Sequence, residues 1–303
     1  MIVDTAAAFR AALARGSFEP ERPATARAAL LVSPIGFRLA EESATDNRYM
    51  QLGESISEER ALSEHAHLAA ALAATLPTMT LPGSGETPDA VFPNNVYATV
   101  PGTLIVGSMR HPKRRIEARR ADIRSLFTGL FAYRIEEIPP DSVAELTGPL
   151  VIDRARNIGF CGLTERCDRA GAEAMHEAFG LDLTFVFELA AGEYHTNVVM
   201  AVLAGRALVV HEASFAEPAV PLVIAELYAP RVIRLLDEEK AAFAGNCLAL
   251  SEHEVWMSDR ASRALTAGHR AELAEWGFAI RSVPLDEIEK AGGSLRCCVA
   301  EIF

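Results

Sequence analysis

The sequence predicts an α/β fold of five repeated units that close into a five-bladed propeller, formed by one domain that spans residues 1–303. A short apolar strand, a turn and a second apolar strand recur along the chain, often followed by an amphipathic helix. The units begin at intervals of roughly 50 to 60 residues, which is long enough for one sheet and one helix. The chain ends in an apolar run that would complete the first unit. A doubly wound α/β domain is the alternative, because the same alternation permits it.

Strands are predicted where short apolar runs are bounded by turn residues. The first strand of each unit is predicted at 30–34, 91–95, 150–154, 197–202 and 246–250, with a last one at 295–303. Second strands are predicted at 103–106 after Pro101-Gly102, at 157–161, at 207–211 after Ala204-Gly205, and at 254–257. Apolar residues at helical spacing predict helices over 59–75, 113–128, 167–179 and 260–276.

Composition and charge narrow the class of protein. The chain is 50% hydrophobic and 23% charged, which is ordinary for a globular protein. Its net charge of −12 and the absence of a polybasic segment disfavour nucleic acid or an anionic membrane as a partner and favour small cationic or zwitterionic substrates. No apolar run reaches the roughly 18 residues of a membrane span, and the N-terminus lacks the order of a signal peptide. We therefore expect a cytoplasmic protein.

The cysteines indicate thiol chemistry rather than a structural role in disulfides or zinc binding. There are five, an odd number, and no two have the C-x-x-C spacing: Cys161, Cys167, Cys247, Cys297 and Cys298. On a strand, Cys297 and Cys298 would point to opposite faces and could not pair with each other. We expect all five to be reduced and no metal or organic cofactor to be present.

Polar residues stand at the edges of the predicted first strands, where a closed array directs them toward its central axis. They are Asp89, Asn94 and Asn95 in the second unit, Glu145 before the third, His195 and Asn197 at the fourth, Asn246 at the fifth, and Cys297 in the last strand. Their recurrence at equivalent strand ends is difficult to explain by packing alone.

Three of these residues have the chemistry of a nucleophilic site. The thiol of Cys297 is a weak nucleophile until a base or cation favours its thiolate, and His195 can act as acid and base near neutral pH. A carboxylate such as Glu145 would orient the imidazole. The combination predicts covalent catalysis by a cysteine.

A series of motifs resembles the guanidino-group modifying enzymes, which include dimethylarginine dimethylaminohydrolases, arginine and agmatine deiminases and amidinotransferases. The set is most similar to the branch of citrulline-utilisation hydrolases. The motifs are residues 34–47, 92–95, 145–148, 195–197, 245–246 and 296–302, in order along nearly the whole chain. The resemblance implies the pentein fold, a five-bladed α/β propeller, as one catalytic domain.

The resemblance also implies a role for each motif residue. It implies that Cys297 is the nucleophile, His195 the general acid and base, and Glu145 the carboxylate partner of His195, with Cys298 structural. Asp89 would contact the α-ammonium group of a substrate. Arg114 and Arg166 would hold its carboxylate, for which planar guanidinium groups are suited.

Three departures from the family pattern bear on the substrate. Asn95 and Asn197 stand where members that handle guanidines have aspartate. A carboxylate pairs with a guanidinium cation, whereas carboxamides such as these and Asn94 can both donate to and accept from a neutral ureido group. The exchange favours citrulline, which would give ornithine, ammonia and carbon dioxide. Leu146 replaces a usual glycine and puts fine substrate choice in doubt.

Two alternatives remain open at the level of sequence. One is a hydrolase of guanidino substrates, similar to dimethylarginine hydrolases or arginine deiminases. The other is a catalytically silent homologue that binds a small amino acid. The partner in each case is a small amino acid, and a homodimer is compatible with the fold without being required.

Overall fold

Five small sheets, each built on the same plan, make up the protein in the computed structural model, which describes all 303 residues. In each sheet an antiparallel pair of strands is followed by a third strand that runs parallel to the second. The plan confirms an α/β fold of five repeated units and excludes one large doubly wound sheet. Closure of the five sheets into a propeller stays a prediction.

The strands are numbered in chain order. Sheet 1 contains β2 (Ala28–Val32), β3 (Thr78–Leu81) and β16 (Ala300–Ile302), and sheet 2 contains β4 (Tyr97–Val100), β5 (Thr103–Val106) and β6 (Arg134–Glu137). Sheet 3 contains β7 (Leu150–Asp153), β8 (Ile158–Leu163), β9 (Leu183–Glu188) and β1 (Ile2–Val3). Sheet 4 contains β10 (Met200–Leu203), β11 (Ala207–Val210) and β12 (Val232–Arg234), and sheet 5 contains β13 (Leu248–Ser251), β14 (Glu254–Ser258) and β15 (Ala279–Val283).

The chain's last strand belongs to its first sheet. β16 pairs antiparallel with β2, so that Ala300 lies opposite Leu30. This pairing agrees with the expectation that the final apolar run completes the first unit. The end of β16 also contacts sheet 2, because the Phe303 amide donates to Thr99 Oγ1 at 2.9 Å.

Helices carry the chain from the second to the third strand of each sheet, as a parallel connection requires. The crossover helices are α2 (Glu58–Ala73), α3 (Pro112–Glu117), α4 (Ala121–Ser125), α5 (Arg169–Ala178), α7 (Ala219–Glu226), α9 (Asp259–Ala264) and α10 (Ala267–Glu275). The others are α1 (Ala6–Arg15), α6 (Thr196–Val199) and α8 (Asp237–Ala241). None of the ten helices has the length and apolar character needed to cross a membrane.

Two of the four predicted helices are continuous and two are interrupted. α2 and α5 match the predictions over 59–75 and 167–179, and side chains of Ser57 and Asp168 cap their first turns. The predicted helix over 260–276 is divided, because Thr266 caps a new helix. The predicted helix over 113–128 is divided into α3, α4 and a π-helical turn at Leu126–Leu130.

The predicted strand over 91–95 is wrong, because these residues end in a short helical turn. Pro93–Asn95 form a 3₁₀ turn, for which the fixed φ of proline is suited at the first position, and β4 begins only at Tyr97. The fourth unit behaves in the same way, since α6 precedes β10. In the fifth unit β13 begins at Leu248, after Asn246.

The predicted strand over 295–303 is wrong in its first half for the same reason. Leu295–Cys298 form a 3₁₀ turn, and only Ala300–Ile302 are strand. Cys297 and Cys298 therefore do not alternate across a sheet. The short turns set polar side chains at the ends of the strands, while the apolar residues of the strands pack between neighbouring sheets and helices.

Candidate active site

The turns that precede the first strands of different sheets meet around one small cavity. The cavity measures about 20 Å³, which is room for about one water molecule. It is lined by Ser43, Asn47, Asp89, Phe92, Asn95, Arg114, Arg166, Tyr194, Ala291, Gly293 and Cys297. Five of the nine residues expected at a site are thus present in its wall or floor: Asp89, Asn95, Arg114, Arg166 and Cys297.

A chain of contacts connects His195 to the cavity wall. His195 Nε2 lies 3.0 Å from Glu145 Oε2, and both side chains are completely buried. Arg166 Nη1 donates to the same Glu145 oxygen at 3.1 Å. A Cβ on Gly148 would lie only 2.6 Å from His195 Cε1, so glycine is required for this close approach. The imidazole is therefore held between Gly148 and a carboxylate that is itself fixed.

Burial and charge set the protonation of this pair. Burial would raise the pKa of Glu145, but the Arg166 guanidinium and His195 hold it well below its usual range. Burial lowers the pKa of His195, and this effect outweighs the attraction of the Glu145 carboxylate. The pair at rest is a carboxylate and a neutral imidazole. With Nε2–H directed at Glu145, the lone pair on Nδ1, which has no protein partner, can accept a proton.

The Cys297 sulfur contacts two asparagine side chains. Asn246 Nδ2 donates to Cys297 Sγ at 3.4 Å, and Asn197 Oδ1 lies 4.0 Å from the same sulfur. Asn197 follows His195 by two residues on the turn that becomes α6, so this turn carries both the imidazole and a neighbour of the thiol. Burial raises the pKa of the Cys297 thiol despite the donation from Asn246. The thiol is therefore protonated at rest.

Cys298 has a different environment from its neighbour. Its side chain is fully buried in the apolar cluster between sheets 1 and 5, and burial raises its pKa well above the ordinary value for a thiol. It does not line the cavity. These observations agree with a packing role for Cys298.

Three buried side-chain oxygens in or near the cavity wall have no hydrogen-bond partner. The Oδ1 atoms of Asp89, Asn94 and Asn95 are buried and accept no hydrogen bond from the protein. Buried acceptors are rarely left unpaired, so these atoms indicate where donors of a bound molecule would lie. Asp89 Oδ2 is already bonded to the Ser43 hydroxyl at 2.5 Å. Asn94 does not reach the cavity wall, and its carbonyl accepts from Thr147 Oγ1 at 2.9 Å.

The two arginines expected to hold a substrate carboxylate are bound to the protein itself. Every guanidinium nitrogen of Arg166 donates to Asp46, Glu145 or the Ser43 carbonyl. Arg114 Nη1 bonds to Glu117 Oε2 at 2.6 Å and to the Asp89 carbonyl at 2.5 Å. Neither arginine is therefore free to bind a ligand in this state, contrary to expectation, because carboxylates of the protein itself pair with both buried cations.

Leu146 adopts a conformation that explains the glycine usual at its position. Its φ is +37°, in the left-handed region that costs a side chain about 1–2 kcal/mol. The residue is fully buried between Glu145 and Thr147. Its strained backbone belongs to the turn that directs Glu145 toward His195.

Four residues around the site were not predicted from the sequence: Ser43, Asp46, Glu117 and Tyr194. The Tyr194 ring lies 4.5 Å from the His195 ring and 5.6 Å from the Arg166 guanidinium carbon. Burial raises the pKa of Glu117 to about 8 although it pairs with Arg114. The segment 34–47 was recognisable as a motif but gave no chemical reason to select single residues, and Asn246 was expected at the central axis without a chemical role. No cluster of three or more metal-ligating side chains occurs in the protein.

Comparisons with known proteins give the site its family context. Residues 33–303 match the family described as "N,N dimethylarginine dimethylhydrolase, eukaryotic". The chain is 23% identical over 218 residues to the bifunctional arginine dihydrolase/ornithine cyclodeaminase ArgZ of Synechocystis sp., and 21% identical over 215 residues to AgrE of Nostoc sp., which has the same description. Each match covers 71% of this chain but only 29% of the relative.

Solved structures share the fold. The substrate-bound N-terminal domain of ArgZ superimposes with a TM-score of 0.79 at 19% identity, over 91% of this chain and 97% of that domain. A dimethylarginine dimethylaminohydrolase adduct with S-methyl-L-thiocitrulline gives a TM-score of 0.72 at 20% identity, over 92% of this chain and 100% of the other. The family match over 33–303 shows that the chain belongs to the N,N dimethylarginine dimethylhydrolase family, among the guanidino-group modifying enzymes.

Proposed function

We propose that this protein is a cysteine-dependent hydrolase that cleaves a C–N bond of a ureido or guanidino amino acid, with citrulline as the preferred substrate. One observation carries the proposal most directly. The Cys297 thiol lines the same cavity as Arg166, which holds the Glu145 carboxylate that bonds to His195. A nucleophile and a place for a reacting carbon thus belong to one cavity, and Arg166 in its wall connects them through Glu145 to an oriented base.

In the first half of the proposed reaction, Cys297 attacks the ureido carbon of citrulline. His195 Nδ1 accepts the thiol proton, and negative charge develops on the ureido oxygen. Nearby amide donors such as Asn246 Nδ2 would stabilise that charge. His195 then returns the proton to the δ-nitrogen as the C–N bond breaks. Ornithine leaves, and the carbamoyl group remains on sulfur.

Water completes the reaction in the second half. His195 takes a proton from a water molecule, whose oxygen attacks the carbamoyl carbon, and the C–S bond breaks. The proton returns to Cys297, and carbamic acid decomposes to ammonia and carbon dioxide. One water is consumed for each citrulline, and no redox step is involved.

The amides beside Cys297 support a ureido substrate. Asn95 lines the cavity and Asn197 lies next to the sulfur, so neutral carboxamides occupy positions where an acid would favour a guanidinium cation. The unpaired Asn95 Oδ1 suits an N–H group of a urea. The one cavity acid with an unpaired oxygen, Asp89, suits the α-ammonium group.

A guanidino substrate is the second candidate. Its support is the likeness to proteins described as arginine dihydrolases and to a dimethylarginine dimethylaminohydrolase. The unpaired Asp89 oxygen would also pair with a guanidinium group if the substrate lay in the opposite sense. In this case Cys297 would carry an amidino rather than a carbamoyl group.

Two further predictions belong to this proposal. We propose that the five sheets are the blades of a propeller around the site, and that residues 1–303 act as one domain. The strand order and the pairing of β16 with β2 support this arrangement. Location in the cytoplasm stays a prediction.

The proposal is tested by measuring ornithine and ammonia released from citrulline, citrulline and ammonia released from arginine, and citrulline and dimethylamine released from dimethylarginine. Cys297→Ser should lower turnover by about 10³-fold or more, because the hydroxyl cannot replace the thiolate as nucleophile. Cys298→Ser is the matched control, with the same chemical change one residue away, and should retain most activity. Equal losses in the two variants, or no release from any of the three compounds, would contradict the proposal.

A further inference from the structure

A carboxylate on the segment that supplies Ser43 and Asn47 to the cavity wall is surrounded by three basic side chains. Asp46 accepts from Arg166 Nε at 2.8 Å and from Arg166 Nη2 at 2.5 Å. Arg110 Nε lies 3.0 Å and His111 Nε2 lies 3.1 Å from its other oxygen. The Asp46 side chain is only 7% exposed. Two guanidinium groups and an imidazole that converge on one carboxylate form a receptor for a carboxylate group.

The donors that Arg166 directs at Asp46 are separate from those that it directs at Glu145. Nε and Nη2 contact Asp46, whereas Nη1 contacts both oxygens of Glu145. Arg166 can therefore exchange the carboxylate on its Asp46 side without releasing Glu145. The catalytic contact between Glu145 and His195 would survive such an exchange.

The segment that carries Asp46 must move before a substrate can enter. The cavity has room for about one water molecule, which is far less than an amino acid needs. Ser43 and Asn47, from the same segment, form part of its wall. Outside their own segment they are held by three kinds of bond: Ser43 Oγ donates to Asp89, the Ser43 carbonyl accepts from Arg166, and Asn47 Nδ2 donates to the Gly292 carbonyl. Displacement of this wall carries Asp46 with it.

Departure of Asp46 removes one of the two carboxylates that pair with Arg166 and leaves the Nε and Nη2 donors of a buried guanidinium without a carboxylate. The Arg166 side chain is only 4% exposed, and buried charged donors without a partner are costly. A substrate with its own carboxylate can replace Asp46, whereas a substrate without one cannot. The site should therefore open more readily for a molecule that carries a carboxylate than for one that does not.

We propose that Asp46 is a specificity-determining residue, a resident carboxylate that the substrate's carboxylate replaces on Arg166 and Arg110. The inference rests on the proposed function for the identity of the reacting group. In this proposal Arg166 binds the substrate's carboxylate when substrate is present and binds Asp46 when substrate is absent. Because only a substrate with a carboxylate can replace Asp46, the protein should select amino acids over the corresponding amines.

The test compares citrulline with its decarboxylated counterpart, N-carbamoylputrescine. Asp46→Ala removes the carboxylate that competes with the substrate for Arg166 and Arg110, so the KM for citrulline should fall. The fall is about tenfold if Asp46 is displaced in about one tenth of the wild-type molecules. The KM for N-carbamoylputrescine should not fall. A rise in the KM for citrulline, or an equal change for both compounds, would overturn the proposal.

Glu193→Gln is the matched control for the possibility that Asp46→Ala acts only by loosening the segment around residue 46. Glu193 anchors Arg48 and Tyr49, close to Asp46 in the chain, but does not contact Arg166. It should alter the KM of both compounds alike. Asp46→Asn, which keeps the side-chain shape, serves if the alanine variant fails to fold.

Binding of L-norvaline separates this inference from the proposed chemistry. Norvaline has the carboxylate and ammonium groups of an amino acid but no ureido group, and butylamine lacks the carboxylate. Calorimetry should show tighter norvaline binding to Asp46→Ala than to the wild type, with no gain for butylamine. That result supports the role of Asp46 even if citrulline is not turned over. Equal norvaline affinity in the two proteins would overturn it.

Discussion

Cys297 and His195 both lie where burial favours their neutral forms. The pKa of the thiol is raised and that of the imidazole is lowered, so the resting site contains a protonated thiol and a neutral imidazole rather than a thiolate and an imidazolium. In the proposed reaction, nucleophilicity has to develop when the Nδ1 lone pair of His195 accepts the thiol proton. We expect such a thiol to react slowly with oxidants and electrophiles at neutral pH.

This state of Cys297 predicts the pH dependence of its alkylation. Because only the thiolate reacts with iodoacetamide, a raised pKa shifts the rise in rate to a pH above that of an ordinary cysteine. We expect slow modification at neutral pH and a rate that increases steadily through the alkaline range. Peptide mass spectrometry would assign the label, with Cys297→Ser as the blank. Rapid labelling of Cys297 at pH 6 would contradict a neutral resting pair.

The residues of the site differ in how well the sequence predicted them. Glu145 and His195 stood at strand ends in the sequence and contact each other at 3.0 Å. The sequence could not show that Arg166 would be occupied by Asp46, because their contact joins segments separated by 120 positions. It also predicted extended backbone where short turns present Asn95, Asn197 and Cys297, since apolar neighbours obscured the turns.

At the scale of elements, helix α2 supports the turn that carries Cys297. The Glu64 carboxylate of α2 accepts from the backbone amides of Glu287 at 2.9 Å and Ile288 at 3.1 Å. These residues begin the segment that leads through Gly292-Gly293 to Cys297. The next residue of α2, His65, is buried, and its Nε2 has no hydrogen-bond partner.

His65 predicts a loss of stability in mild acid. Burial lowers its pKa from 6.5 to about 4, so between these values the unfolded chain binds a proton that the folded protein does not. Stability should therefore fall as the pH drops from about 6.5 to 4, by up to about 3 kcal/mol from this residue. His65→Leu should reduce the acid dependence of the free energy of unfolding, measured in urea.

His67→Leu is the matched control for this prediction. His67 lies on the same helix but is exposed, so its replacement should leave the acid dependence nearly as it is in the wild type. An unchanged pH profile in His65→Leu would show that another group causes the acid sensitivity.

At the scale of the whole molecule, the candidate site exists because five similar sheets bring distant turns together. Glu145, His195 and Cys297 precede strands of sheets 3, 4 and 1, and Asn246 precedes a strand of sheet 5. The repeat length and the apolar end of the chain were visible in the sequence, so the five units could be predicted. The third strand of each sheet and the N-terminal strand β1 were not, because short parallel strands after helices gave no distinct pattern.

The most direct test of the account is the mass of the protein after rapid acid quenching of a reaction with citrulline. We predict a carbamoyl adduct on the peptide that contains Cys297, absent from Cys297→Ser and strongly reduced in His195→Ala, which lacks the group that accepts the thiol proton and protonates the leaving nitrogen. An amidino adduct from arginine at the same residue would select the guanidino alternative. Turnover with no adduct at Cys297, or an adduct at another residue, would contradict the central claim that this thiol is the nucleophile.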